Sequence, residues 1–203
     1  MSEGLGSRVF WILMVVLFCS ALAQNAAIVH VVPLLTDRGV SASQAAVAMS
    51  AMGGAGLAGR LLTGWLLDRL FAPYVAFVLV TIAAVGTFVL ASAGSIAMGA
   101  FAAMCIGFGI GGESGVTPYL LSRYFGLRSF TTLYGFTWTA TSVAAAVGPI
   151  LMGRAFDATG SYASLLVRLA LTMAAAGGLM LWMPAYDSIR PREPVADRQQ
   201  AGI

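Results

Sequence analysis

Two ionisable residues, Arg60 and Glu113, interrupt long apolar stretches of the sequence. A charged side chain inside a membrane span is energetically costly, so each of them is a candidate functional group. At the rise of an α-helix, Arg60 lies about 12 Å from Asp68 and Glu113 about 15 Å from Arg123, the charged residues that end their stretches. These similar depths allow an ion pair between two helices. Arg60 is therefore either a brace that neutralises Glu113 or an anchor for an anionic ligand, because a guanidinium grips a carboxylate in two places.

Further candidates lie within other apolar stretches. Gln24 and Asn25 in the first stretch carry amides that can donate hydrogen bonds to a ligand, and Trp138 in the fifth can form a cavity wall. Holding helices together is the commoner use of polar groups in membranes, and a packing role suits the tryptophan equally well. His30, the only histidine, can relay protons or be a hydrogen-bonded residue near the outer surface. Asn25, Trp138 and His30 are accordingly added to the candidate substrate-binding residues.

The composition excludes an ordinary soluble domain. Hydrophobic residues make up 59% and charged residues 9% of the chain, and the mean hydropathy is +0.88, whereas soluble domains carry roughly 25% charged residues. The net charge of +3 is too small and too dispersed for nucleic-acid binding. Cys19 and Cys105 lie in apolar stretches without the spacing of a metal site or a disulfide framework. Neither a metal nor any other cofactor is expected.

Six apolar stretches are long enough to cross a bilayer, for which about 20 residues suffice. They cover approximately residues 9–35, 45–67, 74–94, 96–122, 131–155 and 162–185. The predicted fold is an all-α integral membrane protein, a bundle of six transmembrane helices within residues 9–186. Residues 1–8 form a cytoplasmic N-terminal segment in this interpretation, and the polar residues 187–203 form a cytoplasmic tail that is predicted to be disordered.

Arginines are distributed unevenly between the two sides that six alternating spans define. One side carries seven and the other carries two: Arg8, Arg69, Arg123, Arg128, Arg190, Arg192 and Arg198 against Arg38 and Arg154. Positively charged residues favour the cytoplasmic side of a membrane protein. The sequence thus predicts a multi-pass protein of the inner (plasma) membrane, surrounded by lipid, with both termini in the cytoplasm.

A compact charged motif follows the second stretch. The motif consists of Gly59 and Arg60, then Gly64, and then Asp68 and Arg69. Because these positions are about four residues apart, they lie on one helix face. The two glycines are expected to let a neighbouring backbone approach closely, and Asp68 and Arg69 to bridge to the next helix end. The spacing resembles the loop motif G-R-x-x-x-G-x-x-x-D-R of the major facilitator superfamily of secondary transporters. The alternative is a generic polar cap on a membrane helix.

Further segments resemble the same superfamily. Residues 148–162 look like its eleventh span and external turn. Residues 122–128 and 133–135, which come before that segment, resemble the loop between the tenth and eleventh spans in its carboxylate branch, the oxalate/formate antiporters and monocarboxylate porters. The end of the seventh span is matched by His30, Pro33, Asp37, Arg38 and Gly39. Because the motifs occur in the family's order, the chain resembles the C-terminal, six-helix half of such a transporter.

The resemblance implies a secondary active transporter, not an enzyme, that needs no cofactor and moves a small organic anion such as a monocarboxylate by symport or antiport. An arginine of the eighth span anchors the substrate in this branch, and Arg60 occupies that kind of position. Members of the branch often carry a further basic residue in the eleventh span, and no basic residue lies between Arg128 and Arg154 here, so the resemblance disfavours a dicarboxylate such as oxalate. Substrate binds between two halves in such folds. The chain is therefore expected to need a separate N-terminal six-helix half or to self-associate; a truncated, non-functional remnant is the alternative.

The fourth stretch permits a second, unrelated interpretation. Three of its glycines are spaced for close helix packing: Gly107, Gly111 and Gly115. Residues 112–115 also read G-x-S-G, the nucleophile signature of rhomboid intramembrane serine proteases, with Ser114 as the serine. A serine nucleophile needs a base within hydrogen-bond reach, and the histidine that rhomboids place in the sixth span is missing from residues 162–185. The protease is therefore the less favoured alternative.

Overall fold

The structure, a computed structural model, describes residues 6–186, which are almost entirely helical. The predicted tail 187–203 and residues 1–5 of the predicted N-terminal segment lie outside the described residues. Within that range five helices are long and apolar enough to cross a membrane. They are α1, Arg8–Asp37; α2, Ala42–Leu67; α3, Ala72–Ser92; α4, Ile96–Thr159; and α5, Ala163–Gly178, which is extended by a 3₁₀ turn, Leu179–Trp182. The predicted all-α fold class is confirmed.

Helix α4 contains two of the predicted spans. Its 64 residues would measure about 96 Å if straight, roughly three times the hydrocarbon thickness of a bilayer. Gly126 interrupts the helix with φ 69° and ψ 173°. This backbone conformation is unfavourable for residues that have a side chain. We call the two arms α4a (96–125) and α4b (127–159). The predicted linker 123–130 is thus helical except at Gly126, because one glycine is enough to redirect the chain.

Contacts between helix ends show an alternating arrangement. At one end of the bundle, the Arg38 side chain after α1 reaches the C-terminus of α3, and the ring of His30 lies 5.0 Å from that of Tyr162 before α5. At the other end, Phe10 packs edge-on against Phe125 with ring centroids 6.2 Å apart. Successive helices therefore run in opposite directions when α4a and α4b are counted separately.

Glycines allow α4a to pack closely against α2. A Cβ atom added to Gly107 or Gly111 would overlap a backbone carbonyl group of α2. For Gly111 this is the carbonyl of Gly56. Gly115, predicted to share this contact, has no neighbour within 4 Å of an added Cβ. Each step of four residues turns a helix about 40° beyond a full turn, so Gly115 points about 80° away from Gly107. The close contact fixes the register between α2 and α4a.

Arg38 stabilises the turn regions at one end of the bundle. Its guanidinium donates hydrogen bonds to the carbonyls of Leu90 at 3.2 Å, Ala91 at 2.7 Å and Ala93 at 2.9 Å. The last carbonyls of a helix have no partner within the helix, and a cation near them is also favoured by the helix dipole. This cap on α3 was not predicted from the sequence.

Large apolar side chains are exposed at the surface of the bundle. Leu61, Trp182 and Leu127 are 77%, 78% and 82% exposed. Soluble monomers rarely expose extensive apolar patches. The exposed side chains thus suit a lipid environment or a covering partner.

Candidate functional site

A cavity of 240 Å³ lies between α1 and the two arms of α4. Three rows of side chains line it, one from each element: Leu17, Ala21, Gln24 and Asn25; Ile110, Glu113, Ser114 and Thr117; and Tyr134, Thr137, Trp138 and Thr141. Within each row the spacing is that of one helix face. The lining is rich in amide, hydroxyl and aromatic groups around a single carboxyl group, which suits a small ligand with hydrogen-bonding groups.

Gln24 and Glu113 join α1 to α4a in this cavity wall. Gln24 Nε2 donates a hydrogen bond of 2.9 Å to Glu113 Oε1. Gln24 is buried and Glu113 is half-buried, and a carboxylate that is withdrawn from water needs donors to offset its desolvation. Because a carboxylate can accept about four hydrogen bonds, Glu113 retains acceptor capacity. The partner of Glu113 is therefore an amide and not Arg60, its partner in one of the two interpretations of the sequence.

Arg60 lies in the wall of a neighbouring cavity of 370 Å³ between α1, α2 and α4a. Its Nε donates a hydrogen bond of 3.2 Å to Oγ of Ser114, which lines the first cavity. Ile110 lines both cavities, so they meet at this contact. Among the described residues Arg60 and Glu113 form no ion pair, and the pair that their depths allowed is not made. Helical rise determines depth but not rotation, and the rotation directs Arg60 to Ser114.

The serine and threonine hydroxyl protons of the cavity are used within their own helices. Ser114 Oγ donates to the Gly111 carbonyl at 2.6 Å, and Thr117, Thr137 and Thr141 donate to carbonyls of the preceding turn. Their oxygen atoms remain available as acceptors. The remaining donors of the first cavity are neutral amide, indole and phenol groups, so the charged guanidinium of Arg60 is the strongest candidate for binding an anionic ligand.

Asn25 and Trp138 lie in the wall of the first cavity, together with Glu113. Asn25 Nδ2 donates to the Ala21 carbonyl of its own helix at 2.8 Å. Trp138 is 59% exposed, and its ring meets that of Tyr134 edge-on at 6.3 Å. The fold thus brings three of the predicted site residues around one space. Their contact with a substrate stays a prediction.

His30 lines neither of these two cavities. Its Nδ1 lies 3.0 Å from the Ala26 carbonyl, one turn earlier on α1, and its ring packs against Tyr162. This placement agrees with a hydrogen-bonded residue near a helix end, the second of the two interpretations of His30. It gives no support to a proton relay in the cavity.

Among residues 6–186, no general base is hydrogen-bonded to Ser114. Its Oγ is hydrogen-bonded to the Gly111 carbonyl and to Arg60 Nε, and a guanidinium cannot accept a proton. His30, the only histidine of the sequence, has other partners. The geometry therefore does not fit the serine nucleophile of a rhomboid protease.

The described residues contain no candidate metal centre. No group of three or more His, Cys, Asp or Glu side chains in this part of the chain could hold a metal ion. Cys19 and Cys105 are free thiols, each partly buried. The cavities can thus act on a ligand through hydrogen bonds, charge and apolar contact.

The glycines of the 59–69 motif differ in their surroundings. A Cβ atom on Gly59 would overlap the Phe108 carbonyl of α4a. Gly64 is exposed and has no neighbour within 4 Å of such an atom. The expected close approach of a neighbouring backbone is therefore found at Gly59 and not at Gly64.

The charged pair of this motif does not bridge to another helix within the described residues. Asp68 is the exposed C-cap residue of α2, and the Arg69 guanidinium lies 4.0 Å from the ring centroid of Trp65 on the same helix. The connection is made instead by Tyr119 of α4a, whose Oη donates to the Leu67 carbonyl at 3.3 Å. A role of the motif in conformational change stays a prediction.

Tyr186 connects several elements at the same end of the bundle. Its Oη accepts a hydrogen bond of 3.1 Å from the N–H of Ala72 at the start of α3. Its ring lies 5.0 Å from that of Tyr124, and the Arg123 guanidinium lies 5.1 Å from its centroid. Sequence patterns did not predict this cluster because it joins residues up to 114 positions apart. It anchors the end of α4a, the arm that carries Glu113 and Ser114.

Some cavity residues were missed at the level of sequence. Thr117 lies one helical turn after Glu113, and Tyr134 lies one turn before Trp138. Residues one turn apart share a helix face, so this spacing was the available signal. Ser114 was considered only as a nucleophile, whereas the structure makes it the hydrogen-bond partner of Arg60.

Comparison with known proteins gives a family and a fold. The family model of the Major Facilitator Superfamily matches residues 2–149, whereas no curated protein matches the chain. Among solved structures, a variant of the E. coli fucose:proton symporter is similar, with a TM-score of 0.73 at 21% identity. The similarity covers 89% of this chain and 44% of the symporter, so the chain spans less than half of that protein. At this identity the similarity shows the fold alone.

Proposed function

The chain belongs to the Major Facilitator Superfamily, and from this premise we propose that it is the C-terminal, six-helix half of a secondary active transporter. The proposed substrate is a small organic anion such as a monocarboxylate. In alternating access, this half and a second six-helix half enclose a site near the middle of the membrane. Since the family is one of transporters, the prediction that the chain is not an enzyme is confirmed.

Arg60 is the residue that carries the proposal. Its side chain is exposed, and its hydrogen bond goes to the neutral Ser114, so no carboxylate of the described residues neutralises it. Charged groups within membrane proteins are costly and are normally paired. An incoming carboxylate supplies that pairing, and the planar guanidinium matches it in geometry. Glu113 is not a competing partner because it is held by Gln24.

The lining of the two cavities favours one carboxylate over two. Arg60 is the only basic residue among those that line them, and Glu113 is the only residue with a carboxyl group. A second carboxylate on the substrate would find no cation in these walls and would be repelled by Glu113 when that residue is ionised. This supports a monocarboxylate as the substrate class.

A partner half is part of the proposal. The walls of both cavities come from α1, α2 and α4, with no lining residue from α3 or α5. The chain spans 44% of the symporter that it resembles in fold. We infer that a separate N-terminal six-helix half, or a second copy of this chain, covers the cavities. The site is proposed to lie in the inner (plasma) membrane, with both termini of the chain in the cytoplasm.

Uptake of radiolabelled acetate into proteoliposomes tests the proposed function. We expect no uptake by the purified monomer, and uptake when the chain is assembled with a six-span N-terminal half from a neighbouring reading frame or with itself. Arg60→Ala should abolish uptake, and Arg60→Lys should impair it because an ammonium group lacks the fork. Arg154→Ala is the matched control, since Arg154 is exposed and lines neither cavity.

Three results would contradict parts of this proposal. Robust uptake by a monomer verified by cross-linking would remove the need for a second half. Wild-type uptake by Arg60→Ala would exclude the anchor. Absence of uptake of acetate, formate or lactate by every folded assembly would favour the truncated remnant.

A further inference from the structure

Ser114 occupies a position that the proposed function does not yet use. Its Oγ accepts a hydrogen bond of 3.2 Å from Arg60 Nε and donates one of 2.6 Å to the Gly111 carbonyl. Because its single proton is directed to the backbone, the hydroxyl can offer Arg60 only a lone pair. It therefore acts as a fixed acceptor beside the guanidinium.

We propose that Ser114 is a positioning residue that orients Arg60 for end-on binding of a carboxylate. This inference rests on the proposed function, because it names the residue that sets the geometry of the same anion site. A free guanidinium can grip a carboxylate through its two Nη groups or side-on through Nε and one Nη. The bond to Ser114 occupies Nε, which leaves the two Nη groups as the available fork.

The position of Ser114 is tied to the packing of the helix that carries Arg60. The carbonyl that accepts its proton belongs to Gly111, and a Cβ atom on Gly111 would overlap the Gly56 carbonyl of α2. Gly56 lies one helical turn before Arg60. The glycine contact and the serine bond thus lie one turn apart on the same two helices. The register between α2 and α4a sets the direction of the guanidinium.

Pre-orientation has a direct effect on affinity. Arg60 is exposed, and an exposed arginine side chain has many rotamers that must be ordered when a ligand binds. Holding Nε in advance reduces this loss of freedom. Removal of the Ser114 hydroxyl should therefore weaken carboxylate binding without removing the charge.

The arginine Nε–Hε resonances of the full chain in lipid nanodiscs provide the test, with acetate as the probe. The Nε–Hε resonance of Arg60 is identified as the one that disappears from the spectrum of the Arg60→Lys variant. We expect Ser114→Ala to shift this signal, to speed its hydrogen exchange and to raise the half-saturating acetate concentration about two- to tenfold, the cost of ordering one long side chain on binding. Ser114→Thr keeps the acceptor oxygen and should restore near wild-type values.

Ser122→Ala is the matched control. Ser122 lies on the same helix arm and donates to the Tyr119 carbonyl at 2.8 Å, in the same pattern as Ser114 and Gly111, but it lines neither cavity. It should leave the Arg60 signal and the acetate titration unchanged. If Ser114→Ala gives a low yield, Ser114→Cys replaces the oxygen with a weaker acceptor and should show the same change to a smaller degree.

The outcomes separate this inference from the proposed function. An Arg60 signal that responds to acetate equally in wild type and Ser114→Ala would overturn the positioning role and leave the anchor intact. An Arg60 signal that does not respond to acetate, formate or lactate in wild type would overturn the anchor and the inference that rests on it. A response that Ser114→Ala weakens and Ser114→Thr restores supports both.

Discussion

Gln24 on α1 and Glu113 on α4a are joined by a hydrogen bond of 2.9 Å, so the anion of the cavity wall is held by a neutral amide. The cation, Arg60, is held in the same manner by the neutral hydroxyl of Ser114. Had the two charges paired with each other, each would be neutralised. Held separately, both remain available to a ligand in the two adjoining cavities.

Double-mutant cycles should distinguish these partners. We expect Gln24→Ala and Glu113→Ala to be non-additive by about 0.5–3 kcal/mol, the range for residues in direct contact. Arg60→Ala and Glu113→Ala should show a smaller coupling, because they share no hydrogen bond. Each cycle is measured from the melting temperatures, in detergent, of the wild type, the two single variants and the double variant. Recovery of the folded yield of Arg60→Ala by added Glu113→Ala would instead indicate an ion pair.

The packing of α2 on α4a should not tolerate a methyl group at its closest point. Gly111→Ala would place a Cβ atom onto the Gly56 carbonyl, and overpacking of this kind costs about 1–3 kcal/mol or more. Gly115→Ala on the same arm is the control, because no atom of a neighbouring helix lies within 4 Å of the added group. Size-exclusion profiles should show a loss of monodisperse protein for Gly111→Ala only. Equal profiles for the two variants would argue against the close contact.

Loss of the Arg38 cap should destabilise the end of α3. Arg38→Ala removes hydrogen bonds to three carbonyls, and a hydrogen bond to a charged group contributes about 1.5–3 kcal/mol. Arg38→Lys should recover only part of this stability, since an ammonium group lacks the planar fork. Arg154→Ala, at an exposed position, should melt like wild type. A wild-type melting temperature for Arg38→Ala would show that the cap contributes little.

Topology can be tested by labelling single cysteines in intact cells. Ser41 lies between α1 and α2, and Thr159 is the last residue of α4b. The arginine distribution predicts that both positions are on the outer side of the membrane. In a background with Cys19 and Cys105 replaced by alanine, cysteines at these two positions should react with an impermeant maleimide. A cysteine at Ser129 should react only after permeabilisation. The opposite pattern would reverse the proposed orientation.

The apolar stretches were informative because a membrane span must satisfy its backbone hydrogen bonds internally. An apolar stretch of sufficient length therefore predicts a helix without any knowledge of its neighbours. The predicted stretch 9–35 corresponds to Arg8–Asp37 and the stretch 45–67 to Ala42–Leu67. The region between residues 122 and 131 differed, because the polar residues there suggested a loop, while a single glycine with positive φ, Gly126, makes the turn directly between two helical arms.

The sequence by itself determined the all-helical fold, the family resemblance and the approximate depths of Arg60 and Glu113. Tertiary structure alone decided what each side chain contacts, because partners are set by helix rotation and packing and not by depth. Close contact of Gly111 with Gly56 sets the register of α2 on α4a. In that register Arg60 meets Ser114. The separate packing of α1 brings Gln24 to Glu113 and leaves His30 outside both cavities. Residues more than 50 positions apart in the chain make these contacts, and local sequence patterns carry no information on such pairs.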